Sequence, residues 1–208
     1  MIDVSEFVKT ILPYRGNSVV VPGRTSRHWH EYSDKPTLDI PLGDPAMGGH
    51  ACFALGLAIA QPNTNIILFD SEGDLLMNLG ILTSIAELNP RNFYHFLLDN
   101  ECYATTGGQP VPNAKGVQYD ILARGAGYPA THAFDNLEDF SNNIAEILAN
   151  PGPVFTALKV TPEIENLPIN QRVRWQTRNL ESILKDVQHS LGVQQVAPHG
   201  QNMRVIAK

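Results

Sequence analysis

Residues 65–110 read NIILFDSEGDLLMNLGILTSIAELNPRNFYHFLLDNECYATTGGQP, and the order of apolar and polar positions along this stretch decides the fold. Asn65 to Asp70 and Asn92 to Leu98 carry apolar side chains at consecutive positions, as strands covered on both faces of a parallel sheet do. Between them, Asp74 to Leu88 repeats apolar residues at helical spacing. Leu75, Leu79, Leu82 and Ile85 or Ala86 share one stripe, and Met77 belongs to the same buried side. Strand, helix and strand make a βα crossover, which is right-handed.

Outward from this stretch the same alternation continues. Ser18 to Val21 and Val154 to Val160 have the pattern of further buried strands, and Gly49 to Ala60 and Leu137 to Ala149 that of further crossover helices. Together they describe an α/β domain over about residues 1–160, a doubly wound, mostly parallel sheet with helices on both faces. From Thr161 the character changes. TPEIENLPINQRVRW has no clear period, RNLESILKDVQHSLG has the pattern of one amphipathic helix, and QQVAPHGQNMRVIAK that of a flexible or partner-draped tail. Residues 161–208 are therefore expected to form a C-terminal extension of linker, helix and tail.

Composition narrows the function classes. Fifteen Lys+Arg against twenty-one Asp+Glu leave a formal net charge of -6, and no basic patch interleaved with aromatics rises above it, which argues against a nucleic-acid partner. No apolar run approaches the ~18 residues of a membrane span, and MIDVSEFVKT carries acids where a signal peptide carries positive charge. Cys52 and Cys102 are too few for a disulfide framework or a metal cluster. No membrane partner and a cytoplasmic setting are the expectations.

In open α/β sheets ligands collect at the loops that follow the strands. Three such loops are unusual: LGDPAMGGHACFALGLA (42–58), FDSEGDLLMNLG (69–80) and LLDNECYATTGGQP (97–110). Taken singly, Ser71 to Asp74 is an ordinary helix start whose acids complement the helix dipole. Taken together, Glu72 and Asn100 end consecutive strands, and a right-handed crossover sets them side by side. A carboxylate, an amide oxygen and a backbone carbonyl there make the hard-oxygen set that Mg²⁺ takes when a diphosphate supplies its remaining ligands.

At these residues the chain resembles the thiamine-diphosphate enzymes, and within them the diphosphate-binding (PP) domain. The metal signature of that family is Gly-Asp-Gly followed at a distance by Asn; here Ser71-Glu72-Gly73 is followed after 26 residues (74–99) by Asn100. The words around it are similar to those of phosphonopyruvate and sulfopyruvate decarboxylases, including Gly107-Gly108-Gln109-Pro110. GDPAMGGHACFALGLAIA resembles their Gly-Ser-Met-Gly-His loop, and PGRTSRHWH their Gly-Lys-Thr-Ser-Arg-Glu segment. The resemblance covers about residues 3–160 and is most specific over 42–110.

It implies roles residue by residue. Glu72, Asn100 and the carbonyl of Cys102 would hold the metal. Met47 would be the apolar wedge under the cofactor, with its N–H and the carbonyl of Pro45 meeting the pyrimidine. Thr25, Ser26, Gly48, Gly73, Asp74, Thr105 and Thr106 would border the cofactor. His50 and Gln109 are the candidates for substrate contact and proton handling, with His28 and His30 behind them, and Arg24 and Arg27 would offer charge to an anionic substrate. Cys52, set among Ala and Leu, has the pattern of a small buried hydrophobe.

The departures matter as well. Glu72 is one methylene longer than the Asp of the family, so either the backbone retreats, or the larger Ca²⁺ or Mn²⁺ is accommodated in place of Mg²⁺, or affinity falls, and Ser71 stands where the family has Gly. In this family a glutamate on a separate pyrimidine-binding (PYR) domain activates the cofactor. A domain of 160 residues leaves 48 of 208, short of another such layer, so the chain is expected to be one subunit of a hetero-oligomer, α₂β₂ or larger. The implied function is the PP half of a thiamine-diphosphate-dependent decarboxylase of a small anionic 2-keto acid such as sulfopyruvate or phosphonopyruvate, active only with a PYR-domain partner. A carboligase or oxidoreductase β subunit, or a PP-like scaffold without catalysis, stays open.

Overall fold

In the computed structural model, residues 1–42, 46–172 and 178–193 are described. Among them run β1 (Val19–Pro22), β2 (Ile66–Ser71), β3 (Phe93–Asp99), a small antiparallel ribbon of β4 (Cys102–Tyr103) and β5 (Gln109–Pro110), then β6 (Ala130–Phe134) and β7 (Val154–Lys159). All but the ribbon join one parallel sheet in the order β1-β2-β3-β7-β6. The helices are α1 (Val4–Ile11), α2 (Trp29–Tyr32), α3 (His50–Ala60), α4 (Glu72–Met77), α5 (Ile81–Leu88), α6 (Tyr119–Ala126), α7 (Leu137–Ala149) and α8 (Leu180–Ser190).

Each strand buries alternate side chains on opposite faces, and each face has its own helices. Val19, Val21, Ile66, Leu68, Phe93 and Leu97 meet α3, α5 and α6 on one side. Val20, Ile67, Phe69, Phe96 and Leu98 meet α1 and α7 on the other. In α1 the buried residues Val4, Phe7, Val8 and Ile11 follow the i, i+3, i+4, i+7 rule, and Asp3 caps the helix by accepting from the N–H of Glu6 at 3.1 Å. The chain is thus the doubly wound α/β layer expected from its sequence. α8 lays Ile183 and Val187 into the first of the two cores, beside the turn Pro36–Leu38.

The expected helix from Asp74 to Leu88 is two helices. α4 begins at Glu72, and Asn78 leaves helical geometry because its amide donates sideways to the carbonyl of Gly48 at 3.2 Å and to Cys52 Sγ. The restart at Ile81 rotates the stripe. Met77 ends 49% exposed instead of in the core, and Leu79 lies at the surface too. Cys52 is also exposed, not buried, since α3 turns it away from the sheet. α1, α6 and the edge strand β6 had no counterpart in the sequence pattern; in β6 every residue is at least partly exposed, so no buried run announces it.

Candidate functional site

The carboxyl ends of β1, β2, β3 and β7 face one cleft. Pairing of Ser71 with Leu98 sets Glu72, the next residue, beside the end of β3. The expected neighbours do meet. Glu72 Oε2 accepts from the N–H of Asn100 at 3.2 Å and Oε1 from the N–H of Cys102 at 3.0 Å. Asn100 Oδ1 in turn accepts from the N–H of Cys102 at 3.1 Å. The manner of meeting differs from the expectation. Glu72 is wholly buried, and Ser71, Gly73, Asn100 and Cys102 border the cleft in its place. The extra methylene has carried the carboxyl inward to backbone N–H groups. Burial, with the charge of Asp99, pushes it up to about 8 against the pull of those bonds. Burial, with the charges of Glu72 and Glu101, also raises the Cys102 thiol above its ordinary value, which disfavours the thiolate.

Residues 43–45 lie outside the described residues, Pro45 with them. The loop just after them is clamped by α4. Asp74 accepts from the N–H of Gly48 at 2.8 Å and pairs with His50 Nδ1 at 3.0 Å, while Asn78 takes the Gly48 carbonyl. Gly48 has φ +86, and a Cβ there would lie 2.8 Å from that of Asn78, so only glycine serves. Burial alone would raise the Asp74 carboxyl; the bonds from His50 and Gly48 outweigh it and hold the group below the usual value. Met47 is left with a left-handed backbone, φ 51, and a side chain 63% exposed at the cleft. Ligand atoms of His50, Asp70 and Asp74 lie within 4.8 Å of one another, but each carboxylate there is already engaged by N–H groups or a histidine ring.

On the β1 side, Gly23 donates to the carbonyl of Phe69 at 2.8 Å, and a Cβ there would come within 2.7 Å of the same oxygen. The turn that follows brings Arg24, Thr25 and Arg27 to the cleft. Ser26 is buried and spends its hydroxyl on the carbonyl of Gly23 at 2.9 Å, so it faces its own turn and not a ligand. Thr105 borders the cleft with Tyr103 and Ala104. Gln109 is exposed and accepts from the Thr106 hydroxyl at 3.0 Å, and neither residue is part of the cleft lining. His30 bonds back to the carbonyl of Arg27.

Two features had no signal in the sequence. His95 on β3 is buried between Asp70 (3.2 Å) and the hydroxyl of Tyr128 (3.3 Å), a polar link beneath the cleft that only strand register creates. Glu163 and Glu165, in a stretch without period, fold back onto the cleft. Glu163 lies 2.8 Å from Arg27 and 3.0 Å from His28, and Glu165 pairs with Arg24. Alternation and helical period carry no information about such a return.

Residues 22–158 match the family described as thiamine pyrophosphate enzyme, C-terminal TPP binding domain. The chain is 35% identical over 147 residues to the sulfopyruvate decarboxylase subunit beta of Methanothermobacter thermautotrophicus, covering 71% of this chain and 75% of that one. It is 34% identical over 151 residues to the phosphonopyruvate decarboxylase of Streptomyces hygroscopicus, covering 73% of this chain but only 37% of the relative. The fold is similar to that of a thiamine diphosphate-dependent 4-hydroxybenzoylformate decarboxylase from Rhodococcus jostii RHA1, with a TM-score of 0.61 at 17% identity over 79% of this chain and 33% of the other. Among the described residues, no helix is long and apolar enough to cross a membrane.

Proposed function

This chain belongs to the thiamine pyrophosphate enzymes, as a carrier of their C-terminal cofactor-binding domain, and from that premise we propose that it forms the diphosphate-holding half of a 2-keto acid decarboxylase, the other half being a PYR-type chain. The observation that carries this reading is the convergence on one cleft of the β2 and β3 tips with a left-handed, projecting Met47.

The residues suit the cofactor in kind. Asn100 Oδ1 and the Cys102 carbonyl are hard oxygens, and a buried Glu72 carboxyl pushed up to about 8 is a group whose charged form a divalent cation would favour. Asn100 and Cys102 at the cleft would therefore hold Mg²⁺ or a larger ion, and Glu72 would join them only by turning from the backbone N–H groups it now accepts from. When bound, thiamine diphosphate supplies a nucleophilic carbon and a sink for the electron pair released with CO₂. Met47 would support it, its place fixed by Asp74 and Asn78 through Gly48. Asp74 holds the Nδ1 side of His50 and so fixes the orientation of its ring beside the cleft. The sulfopyruvate decarboxylase relative is named a beta subunit, and α3 supports a partner here as well, since it carries no charged residue yet exposes Cys52, Gly56 and Ile59.

The sealing of Glu72 favours one second reading, a PP-like scaffold that has given up the cation. Calorimetric titration with thiamine diphosphate and Mg²⁺, on the chain alone and with its PYR-type partner, separates the two. Saturable, cation-dependent binding in the presence of the partner, followed by CO₂ release from a panel of 2-keto acids, is the expected result. Binding in neither case would leave the scaffold.

A further inference from the structure

After β7 the chain does not leave the site. Thr161 donates to the carbonyl of Ile2 at 2.9 Å, and Glu165 donates its N–H to the carbonyl of Ala104 at 3.0 Å, which lays residues 161–166 across the mouth of the cleft. The seat for this strap is made of glycine. Ile164 lies so close to Gly108 that a Cβ there would stand 2.6 Å from its Cδ1, and Asn166 Oδ1 flanks Gly107. The side chains on either side of Ile164 are Glu163 and Glu165, and both point to the cations of the turn after β1.

Both arginines of this corner are paired. Glu163 takes Arg27 at 2.8 Å and Glu165 takes Arg24, while His28 stands between Glu163 at 3.0 Å and Glu31 at 3.1 Å. Arg24 and Glu165 are each only 17% exposed, so solvent and salt screen this pair less than an ion pair on the open surface. Among the described residues, Arg24 and Arg27 are the lysine or arginine side chains that line the cleft, and both face a carboxylate from the same polypeptide. A ligand bringing a second anion has to break an existing ion pair or lie against a carboxylate. An uncharged group does neither.

We infer that Glu163 and Glu165 set the charge of the substrate, restricting the site to 2-keto acids whose only anion is the carboxylate and whose remaining side chain is uncharged. The inference rests on the decarboxylase reading above for the words 2-keto acid, and on the strap geometry for the charge rule.

Two arms test it separately. The first uses the full chain alone, titrated calorimetrically with methanesulfonate as the anion probe. The wild type should give no saturable heat, whereas a Glu163→Gln, Glu165→Gln variant, near-isosteric and neutral, should bind the probe at least about tenfold more tightly. Glu163→Asp keeps the charge and should behave as the wild type, and the single Glu163→Gln change carries the same comparison should the double variant fail to fold. Equal binding of the probe by wild type and the Gln variants overturns the charge rule. The second arm uses the pair reconstituted with its PYR-type chain and compares kcat/KM for sulfopyruvate with that for the analogue bearing an uncharged tert-butyl group in place of the sulfonate. The wild type should favour the tert-butyl compound, and the ratio should move towards sulfopyruvate by about tenfold in the Gln variant. A wild-type preference for sulfopyruvate overturns the inference, whereas CO₂ release from no 2-keto acid overturns the decarboxylase reading and leaves the first arm to decide the charge rule.

Discussion

Glu72 stands where a shorter carboxylate is expected, and one methylene decides what it does. Its carboxyl ties the end of β2 to two N–H groups of the β3 loop, in full burial and near Asp99. Its folded value of about 8 against an ordinary 4.5 means that folding favours the protonated form. The stability this group confers is therefore complete below about pH 4.5 and is lost as pH rises towards about 8. Chemical denaturation in buffer free of divalent cations should show that decline, and Glu72→Gln should flatten it while costing about 1–3 kcal/mol, since an amide N–H then faces a backbone N–H. An unchanged pH slope in the Gln variant would mean that another group carries it. Glu72→Asp should give up one backbone bond but return the carboxylate towards the cleft, so cation-dependent cofactor binding is preserved or improved, whereas Asn100→Ala should abolish it; calorimetry with and without Mg²⁺ reads both. That Glu72 and Asn100 are neighbours was legible from the sequence, because strand period and crossover hand fix backbones. Which way the Glu72 side chain turns was not, because that depends on N–H groups whose positions exist only once β3 has ended.

The helix after β2 teaches the same lesson over a longer span. Its apolar period runs unbroken through Asn78, yet α4 and α5 are separate because Asn78 trades its helical place for bonds to Gly48 and Cys52. Period describes what a helix would bury; it does not register that one residue has a better partner on another loop. The strands were readable to within about one residue because their apolar runs are continuous, while β6, partly exposed throughout, left no such trace. If the break exists to hold the loop, Asn78→Ala should cost about 1–2 kcal/mol of stability by denaturant titration and should weaken cofactor binding as Met47 loses its support. A variant equally loose in the fold but unchanged in cofactor affinity would show that Asp74 alone positions the loop. At Gly23 the constraint is harder. A methyl group 2.7 Å from a backbone carbonyl of β2 has nowhere to go, so Gly23→Ala is expected to lower stability by on the order of 2 kcal/mol or more.

Across the whole molecule, the sheet and its two helical layers account for the buried faces but leave α3 half explained. His50–Ala60 has no charged residue; Ala51, Ala54, Leu55 and Ala58 go to the core, and Cys52, Gly56 and Ile59 form a stripe on the open side, near the exposed Met47 and Met77. The sequence led to the expectation of a buried Cys52 because an apolar helix looks buried whichever polypeptide covers it. A surface of this kind is stable in water when a second chain takes it up, and it adjoins the cleft. Gly56 offers a clean test, because nothing lies within 4 Å of a Cβ built there. Gly56→Ala should raise helix stability by about 0.5–1 kcal/mol and leave association with the PYR-type chain intact. Gly56→Arg should keep the fold of the chain, seen as an unchanged thermal transition, but prevent co-elution with that partner in light-scattering chromatography. Co-elution of the Arg variant at wild-type stoichiometry would place the interface on another face, and with it would go the reason for an uncharged helix beside the cleft.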